Sequence, residues 1–546
     1  MMYRGHPLSF LLLSFVLAGF LMLFFSSPRE VVYASAPAAE ATPTGPDRFT
    51  TIQVKVTLYE WWMSAWEDNE VHCRIFSERD DMPSHAEVYA GCGETLYDEW
   101  VKKSQSCDLE EYWLCKGYYW QLVNEKTIER ENVVSLPVAQ VWVSLEDCDE
   151  DESGWCTNEF PRLVLWGEEP LPDESIIRIQ GLVGADSFSC EGARCDFLLN
   201  ATPAEGIKMI FWAFSSYGDS SPTFDAVVRV MVTDDSQRLV QKRFIDVLST
   251  QWTGKPNATC SIAWQSFPPS DGLPGWLSSP ENAEDLQSDV SYVYLAGNLI
   301  KQGAVNVEAC PDGGVYGDGT ATPCGVAAAT LAVNDWQNRF DSLILDVARQ
   351  GEVPAQLLKN LFSRESQFWP GIFNQRDDVG LGQLTEHGAD TTLMWNPAFY
   401  DEFCPLVLDK DLCQSNGYAN LYKSDQALLR GALLQSVNAT CEDCPLGIDL
   451  ERADYSVAIF ARTLLANCEQ AGKIIQNVTG KPAGETASYE DMWRFTLANY
   501  NGGAGCLADA VQVASANGLE LNWKNVADNF LPGCQPVVQY VEDISQ

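Results

Sequence analysis

The C-terminal part of the chain carries apolar residues at the period of an α-helix. One stripe recurs at three- and four-residue intervals from Phe340 to Ala348 and stops at Gly351, and Pro354 suits the first turn of a second helix. Further stripes fall between 457 and 468 and between 507 and 514, before a predicted Asn517-Gly518 cap. The pattern predicts a mainly α domain over residues 326–546. The buried side of the second helix is expected to consist of Leu357, Leu358, Leu361 and Phe362.

The N-terminal half shows the period of β-strands instead. Short runs of β-branched and aromatic residues, bounded by Gly, Pro, Asp and Ser, predict an all-β, antiparallel, sandwich-like region. We expect one β-rich module at 49–170 and a β-sandwich-like module at 171–253. Tryptophans are frequent here, and most are expected to pack in or beside the core, whereas exposed ones could stack on sugar rings. The clearest predicted strands are 51–59, 176–183, 209–215 and 226–232.

Three further segments are predicted to connect or export these domains. Residues 254–325 are rich in Pro, Gly, Ser and Asp and are expected to form a structured linker with one helix near Val290–Lys301. Residues 37–48 are rich in Ala, Pro and Thr and are typical of a flexible tether. Residues 1–36 contain an apolar run from Leu8 to Phe25 that is typical of an export signal. The run is also long enough for a membrane anchor, so a cleaved signal peptide and possible membrane anchoring both stay open. We expect an extracellular or cell-envelope protein.

Charge narrows the class of partner. The 546 residues include 35 basic and 76 acidic side chains, for a formal net charge of −41. Such a chain repels phosphate backbones, so we expect no nucleic-acid partner. The acidity is typical of a solvated surface.

The cysteine count indicates an oxidising compartment. Eighteen cysteines, eight between Cys73 and Cys195 and ten between Cys260 and Cys534, allow each half to pair internally. Close pairs that could close small loops are Cys148/Cys156, Cys190/Cys195 and Cys310/Cys324. Cys441 and Cys444 form a CxxC that could instead bind zinc. With only four histidines and no second CxxC, we favour a disulfide there and predict no metal site.

Glu365 is the one carboxylate whose position suggests chemistry. It follows Leu361 by four residues and Leu358 by seven, so it shares the apolar face of its helix. A glutamate near a helix end is ordinarily a solvated charge. A carboxyl group desolvated by apolar neighbours has a raised pKa, which a general acid near neutral pH requires.

Four segments in order resemble one enzyme family. The helix 353–368 ends in a Glu-Ser pair, Gly380-Leu-Gly-Gln-Leu384 follows, and Gln383 lies eighteen residues after Glu365. Then come AlaAsnTyrAsnGlyGlyAlaGly at 498–505 and, near the C-terminus, LeuPro at 531–532 and TyrVal at 540–541. This set is similar to the SLT-type lytic transglycosylases, members of glycoside hydrolase family 23 in the lysozyme-like superfamily. The resemblance covers about 220 residues.

The resemblance implies a site and a reaction. Glu365 would be the catalytic acid and base, with Ser366, Gln383, Tyr500 and Asn501 as substrate-binding residues. Glu365 would protonate the bridging oxygen between N-acetylmuramic acid and N-acetylglucosamine and then deprotonate the muramyl C6 hydroxyl, which yields a 1,6-anhydro product. The implied partner is a peptidoglycan glycan strand, no cofactor is implied, and the oligomeric state is left open.

Three departures from the family pattern keep alternatives open. Asp377 and Asp378 stand where the family usually has Gly-Ala, and Gly382 replaces its Met. The aspartates are expected to be loop-surface charges, but either could supply the second carboxylate of a lysozyme-type hydrolase. The segment of about seventy residues between Gln383 and Asp454 is also longer than in the family. It is predicted to be an insertion held by disulfides. A catalytically inactive glycan-binding protein is the third alternative, and the retained Glu365 and Gln383 disfavour it.

Overall fold

The structure is a computed structural model that describes residues 48–546, apart from 104–106, 108–113, 151–154, 157–159, 236–239, 255–257, 271, 352 and 373–377. The signal or anchor at 1–36 and the tether up to residue 47 therefore lie outside the described residues. Within the described ranges, no helix combines the length and apolarity needed to span a membrane. The described part of the chain divides into two compact units, one that ends at Leu136 and includes Tyr217–Ser220, and one that comprises Pro137–Ser216 and Ser221–Gln546.

In the first unit, the described residues form a three-stranded antiparallel sheet and two helices. Its strands are β1 (Phe49–Ala65), β2 (Val71–Ser77) and β3 (Tyr118–Ser135), in the order β2-β1-β3. Helices α1 (His85–Cys92) and α2 (Glu94–Lys103) follow β2. A small core, which includes Met63, Ile75, Val88 and Trp100, is supported by the Cys73–Cys92 disulfide. A separate small core explains why this region forms a unit of its own.

The second unit begins with a β-sandwich. One sheet has the order β4-β5-β8 and the other β11-β10-β9-β6-β7, and all their strand pairs are antiparallel. Alternate residues of both sheets point into one shared apolar core. The strands are β4 (Gln140–Glu146), β5 (Arg162–Glu168), β6 (Ile176–Val183), β7 (Asp186–Glu191), β8 (Arg194–Leu198), β9 (Ile207–Ser215), β10 (Phe224–Asp235) and β11 (Val240–Leu248).

The predicted β-rich N-terminal region is thus confirmed, although helices α1 and α2 show that it is not all β. The predicted module boundary between residues 170 and 171 differs from the structure. Strands β4 and β5 precede that boundary, yet Val141, Val143, Leu163 and Leu165 point into the core that they share with β6 and β9. The sandwich therefore begins near residue 137, and the strands β1 to β3 precede it in the sequence.

The rest of the second unit is helical, as predicted. The long helices α12 and α13 pack side by side, and α6 and α8 pack on α12. The helices are α3 (Thr259–Trp264), α4 (Val293–Lys301), α5 (Pro323–Asn338), α6 (Asp341–Gly351), α7 (Ala355–Ser366), α8 (Glu386–Trp395), α9 (Pro397–Phe403), α10 (Lys410–Ser415), α11 (Lys423–Val437), α12 (Leu450–Thr479), α13 (Tyr489–Ala516), α14 (Trp523–Ala527) and α15 (Pro536–Ile544). Short 3₁₀ turns occur at Gly275–Leu277, Ala283–Leu286, Cys404–Leu406, Tyr418–Asn420, Pro445–Gly447, Ala483–Glu485 and Pro532–Cys534.

The predicted linker at 254–325 is wrong as a description of this segment. Trp264, Trp276 and Leu295 are buried in the same core as the helices that follow. Cys260 forms a disulfide with Cys468 on α12, and the Trp264 indole donates a hydrogen bond to the Cys468 carbonyl at 2.9 Å. The Pro- and Gly-rich composition reflects irregular backbone, while these widely spaced large apolar residues attach the segment to the domain.

All eighteen cysteines form disulfides, and none crosses between the two predicted halves. The three close pairs predicted from spacing are confirmed, and the Cys441–Cys444 bond removes the zinc alternative for that CxxC. Nine disulfides are typical of a protein that folds in an oxidising, exported environment. The remaining bonds are Cys73–Cys92, Cys107–Cys115, Cys260–Cys468, Cys404–Cys413 and Cys506–Cys534.

Candidate active site

Helix α7 ends at the predicted catalytic glutamate. Gln367 and Phe368 both adopt left-handed backbone angles, with φ of 49° and 63°, so the helix cannot continue past Ser366. The end is fixed in place because the Trp336 indole donates to the Phe368 carbonyl at 2.8 Å, and the Tyr294 amide donates to the Gln367 side chain at 2.8 Å. The last helical turn, which carries Glu365, is therefore rigidly held.

Glu365 is half-buried, with its neighbours on the helical stripe in the core. Desolvation raises the pKa of its carboxyl from 4.5 to about 7. A hydrogen bond from Tyr540 and the positive charge of Arg364 oppose this rise in pKa, whereas the negative charge of Asp378 adds to it. The carboxyl group can consequently hold or release a proton near neutral pH.

Tyr540 on α15 is the direct partner of Glu365. Its hydroxyl donates to Oε1 of Glu365 at 2.5 Å, and the ring is 3 % exposed. Burial, together with the nearby Glu365 charge, raises the pKa of the Tyr540 hydroxyl well above its usual value, so it stays a donor. The resemblance drew attention to residues 540–541 as a motif, but sequence reasoning did not assign Tyr540 to the site.

Two more contacts hold α15 against α7. Arg364 forms an ion pair with Asp543 at 2.9 Å, and the Asn360 amide donates to the Ile544 carbonyl at 2.9 Å. Asn360 and Arg364 lie one turn apart on α7, so these contacts and the Tyr540 bond form a continuous row along the helix pair. This row determines where the Tyr540 hydroxyl meets the carboxylate.

A tight turn over residues 379–384 lies beside the end of α7. Val379 and Leu384 form an antiparallel bridge that closes it, and Gly380 adopts a φ of +80°. The Ser366 hydroxyl donates to the Leu381 carbonyl at 2.7 Å, and the Tyr500 hydroxyl on α13 donates to the Gly382 carbonyl at 2.5 Å. Two helices therefore hold the turn through its backbone carbonyls.

Gln383 closes the same turn from inside. Its side-chain amide donates to the Gly380 carbonyl at 2.7 Å and to the Gly371 carbonyl at 3.3 Å. Ser366 is fully buried and Gln383 is 8 % exposed. Their polar groups thus support the backbone around Glu365. Neither side chain is exposed enough to offer a sugar a contact surface.

The remaining predicted site residues are placed differently from one another. Tyr500 is half-buried, and the charges of Glu365 and Asp378, after burial itself, raise its pKa well above the usual value. Asp378 is thus electrostatically coupled to the site. Asn501 is exposed and, as the next residue of α13, points to a different side from Tyr500. Asp377 lies outside the described residues.

Gly382, where the sequence departs from the family motif, has a packing explanation. A Cβ atom at this position would lie 2.4 Å from Cδ1 of Phe460, whose ring is fully buried. The Phe460 ring on α12 also packs edge-on against Phe362 of α7, with centroids 5.8 Å apart. Phe460 therefore occupies the space that a larger side chain at position 382 would need.

No protein-family model matches this chain, and no curated protein matches its sequence.

The chemistry that this geometry can perform involves one proton. Glu365 has a titratable carboxyl near neutrality, a fixed donor in Tyr540, and a rigid position at a helix end. Among the residues that the structure describes, no group of three or more His, Cys, Asp or Glu side chains is arranged to hold a metal ion. The arrangement suits general acid catalysis by Glu365 followed by return of a proton to the same carboxyl group.

Proposed function

We propose that this protein is an exported peptidoglycan lytic transglycosylase that uses Glu365 as its single acid and base. The observation that carries the proposal is the desolvated Glu365 carboxyl, with a pKa of about 7, hydrogen-bonded to Tyr540 at the end of α7. The motif order around it supports the same reading.

The proposed reaction has two proton transfers and no net change at Glu365. The protonated carboxyl gives its proton to the glycosidic oxygen as the bond from that oxygen to muramyl C1 breaks, which releases the N-acetylglucosamine end with a new hydroxyl. The muramyl C6 oxygen then bonds to C1, and its proton passes to the Glu365 carboxylate. No water enters the product, so a second carboxylate to activate water is not required.

The closest rival is a hydrolase on the same site. The charge of Asp378 acts on both Glu365 and Tyr500, so a second carboxylate is electrostatically present. In that reaction Asp378 would activate a water molecule or stabilise the positive charge that develops at C1.

Product analysis separates the two reactions. Purified murein sacculi are digested, the fragments are reduced with borohydride, and their ends are identified by mass spectrometry. A lyase leaves 1,6-anhydromuramic ends that borohydride does not reduce, whereas reducible muramic ends would overturn the transglycosylase. A digest with the Glu365→Gln variant is the control, and equal release by both proteins would remove Glu365 from the mechanism.

A further inference from the structure

Two tryptophans form an aromatic platform on the outer face of the sheet β4-β5-β8. Trp142 and Trp166 are directly opposite one another on β4 and β5, with ring centroids 6.2 Å apart and planes inclined by 35°. The inner side of the same strands is fully buried in the sandwich core. Because side chains alternate along a strand, both rings must lie on the side facing away from that core.

The platform is open and fixed. Trp166 is 39 % exposed and Trp142 is half-buried, so part of each ring is open to solvent. The Trp142 indole nitrogen donates to Oε2 of Glu168 at 2.8 Å, and this bond restricts rotation of the ring. Two adjacent, partly exposed rings on an outer sheet face form an apolar surface of the kind that contacts ligands.

Two arginines and three carboxylates beside the platform pair with one another. Arg194, opposite Trp166 on β8, donates two hydrogen bonds to Glu146 at 2.7 and 3.0 Å and pairs with Asp196 at 2.9 Å. Arg162 contacts Asp147 at 2.7 Å and Asp196 at 3.4 Å. Planar carboxylates and guanidinium groups of this kind can bind neighbouring hydroxyl groups in pairs.

We propose that this platform, consisting of Trp142 and Trp166 with the adjacent Arg162, Arg194, Glu146 and Asp196, binds an uncharged β-1,4-linked polysaccharide of N-acetylated sugars. The positive C–H edges of a pyranose ring fit the negative face of an indole, and the paired charges beside it fit hydroxyl and acetamido groups. A polyanion would find no uncompensated cation among these residues, so nucleic acid does not suit the surface. That the polysaccharide is β-1,4-linked and N-acetylated, and that in nature it is peptidoglycan, rests on the proposed function, whereas the aromatic binding site itself does not.

The experiment measures binding by the full chain carrying Glu365→Gln, which prevents digestion of the probe. Chitohexaose is titrated by calorimetry, and sedimentation with murein sacculi gives a second dissociation constant. Trp166→Leu keeps apolar bulk on the sheet but removes the aromatic face, and Trp166→Phe restores a smaller one. Trp212→Ala is the matched control, because Trp212 lies on the outer face of the other sheet, opposite Gln180.

The expected result is that Trp166→Leu and Trp142→Leu lose one class of chitohexaose sites or weaken it by about tenfold or more. Trp166→Phe should retain part of the affinity, and Trp212→Ala all of it. Binding isotherms for both leucine variants that match the parent would overturn the proposal. If the wild-type protein, assayed in parallel, does not cleave murein but the tryptophan-dependent binding persists, the proposed function fails and this inference stands.

Discussion

The Tyr540 hydroxyl donates a 2.5 Å hydrogen bond to Glu365 Oε1 across 175 residues of sequence. Tyr540 is buried and has a pKa far above its usual value, so it can only donate to this oxygen in the working pH range. The bond favours the charged carboxylate, whereas desolvation favours the neutral acid, and desolvation is the larger effect.

Replacing Glu365 with Gln should lower murein cleavage by about 10²- to 10⁴-fold, because the amide cannot donate a proton to the leaving oxygen. In the wild type, cleavage should fall as the pH rises through about 7, since the acid form is lost there. The measurement is muropeptide release between pH 4 and 9. A rate that keeps rising above pH 8 would contradict the assignment of Glu365 as the acid.

The same variant should be more stable than the wild type at high pH. The folded state raises the pKa of Glu365 above 4.5, so it binds the proton more tightly than the unfolded state does. Stability from this group is fully present below pH 4.5 and is lost as the pH rises through about 7. At roughly 1.4 kcal/mol per pKa unit, the gain from Gln at pH 8 is at most about 3.5 kcal/mol, and solvent screening of a half-buried group reduces it. Urea unfolding of the wild type and of Glu365→Gln at pH 4 and pH 8 measures this gain in stability. If the two proteins differ in free energy of unfolding by the same amount at both pH values, the desolvation argument is contradicted.

Tyr540→Phe should shift the alkaline limb of the pH–rate profile to higher pH. The lost hydrogen bond had stabilised the carboxylate, so the pKa of Glu365 rises further. The maximal rate should also fall, because the carboxyl loses the contact that orients it. Tyr422→Phe, at a residue that is 78 % exposed, is the control and should leave the profile unchanged. If the alkaline limb of the Tyr540→Phe profile stays at the wild-type pH, Tyr540 does not influence the titration of Glu365.

Removing the Cys506–Cys534 disulfide should disturb the site as well as the stability. The bond joins α13 to the turn just before α15, which carries Tyr540. With a sequence separation of 28, its loss is expected to reduce the free energy of unfolding by about 3–4 kcal/mol. Replacing both Cys506 and Cys534 with Ala should also move the alkaline limb as Tyr540→Phe does.

The matched control for that experiment is the Cys441–Cys444 bond, whose sequence separation is only 3 and whose loss should have a smaller effect. Chemical unfolding and the pH–rate profile are measured for both double variants. If the variant lacking Cys506 and Cys534 keeps a wild-type profile, the disulfide is not needed to position Tyr540.

Gly382→Ala should destabilise the domain by about 1–3 kcal/mol, because its Cβ atom would overlap the Phe460 ring. The displaced turn would also lose contact with Tyr500 and Ser366, so activity should fall. Adding Phe460→Leu should recover part of both losses. Gly417→Ala is the control, since a Cβ there meets open space. Additive effects in the double variant, measured by thermal unfolding, would show that the two positions do not compete for space.

The helical period correctly predicted α6, α7, α12 and α13, and the buried side of α7. It also placed Glu365 on the apolar face, because the face of a residue on a helix depends only on its spacing from neighbours. The two-residue period predicted strands β6, β9 and β10 within a few residues of their observed ends. The predictions of a module boundary at residues 170–171 and of a linker at 254–325 were wrong. Both features depend on which apolar faces pack together, and local spacing along the chain does not specify that.

In the candidate site, too, the sequence predicted which residues are involved but not what they contact. Ser366 and Gln383 were predicted to contact the substrate, but the fold directs their hydrogen bonds to backbone carbonyls of the 379–384 turn. Those carbonyls become buried only when α7 and the turn pack together, and a buried polar group then requires a partner. The sequence shows the residue types but not which atoms lose contact with water.

The sequence by itself determined that the chain has a β-rich part followed by a helical part, that its cysteine count allows pairing within each half, and that Glu365 faces apolar neighbours. Only the tertiary structure decided that Tyr540 meets Glu365, that Phe460 fills the space above Gly382, and that Trp142 and Trp166 lie together on an outer sheet face. Periodicity follows from backbone geometry and is local, whereas these pairings depend on packing between segments far apart in the chain.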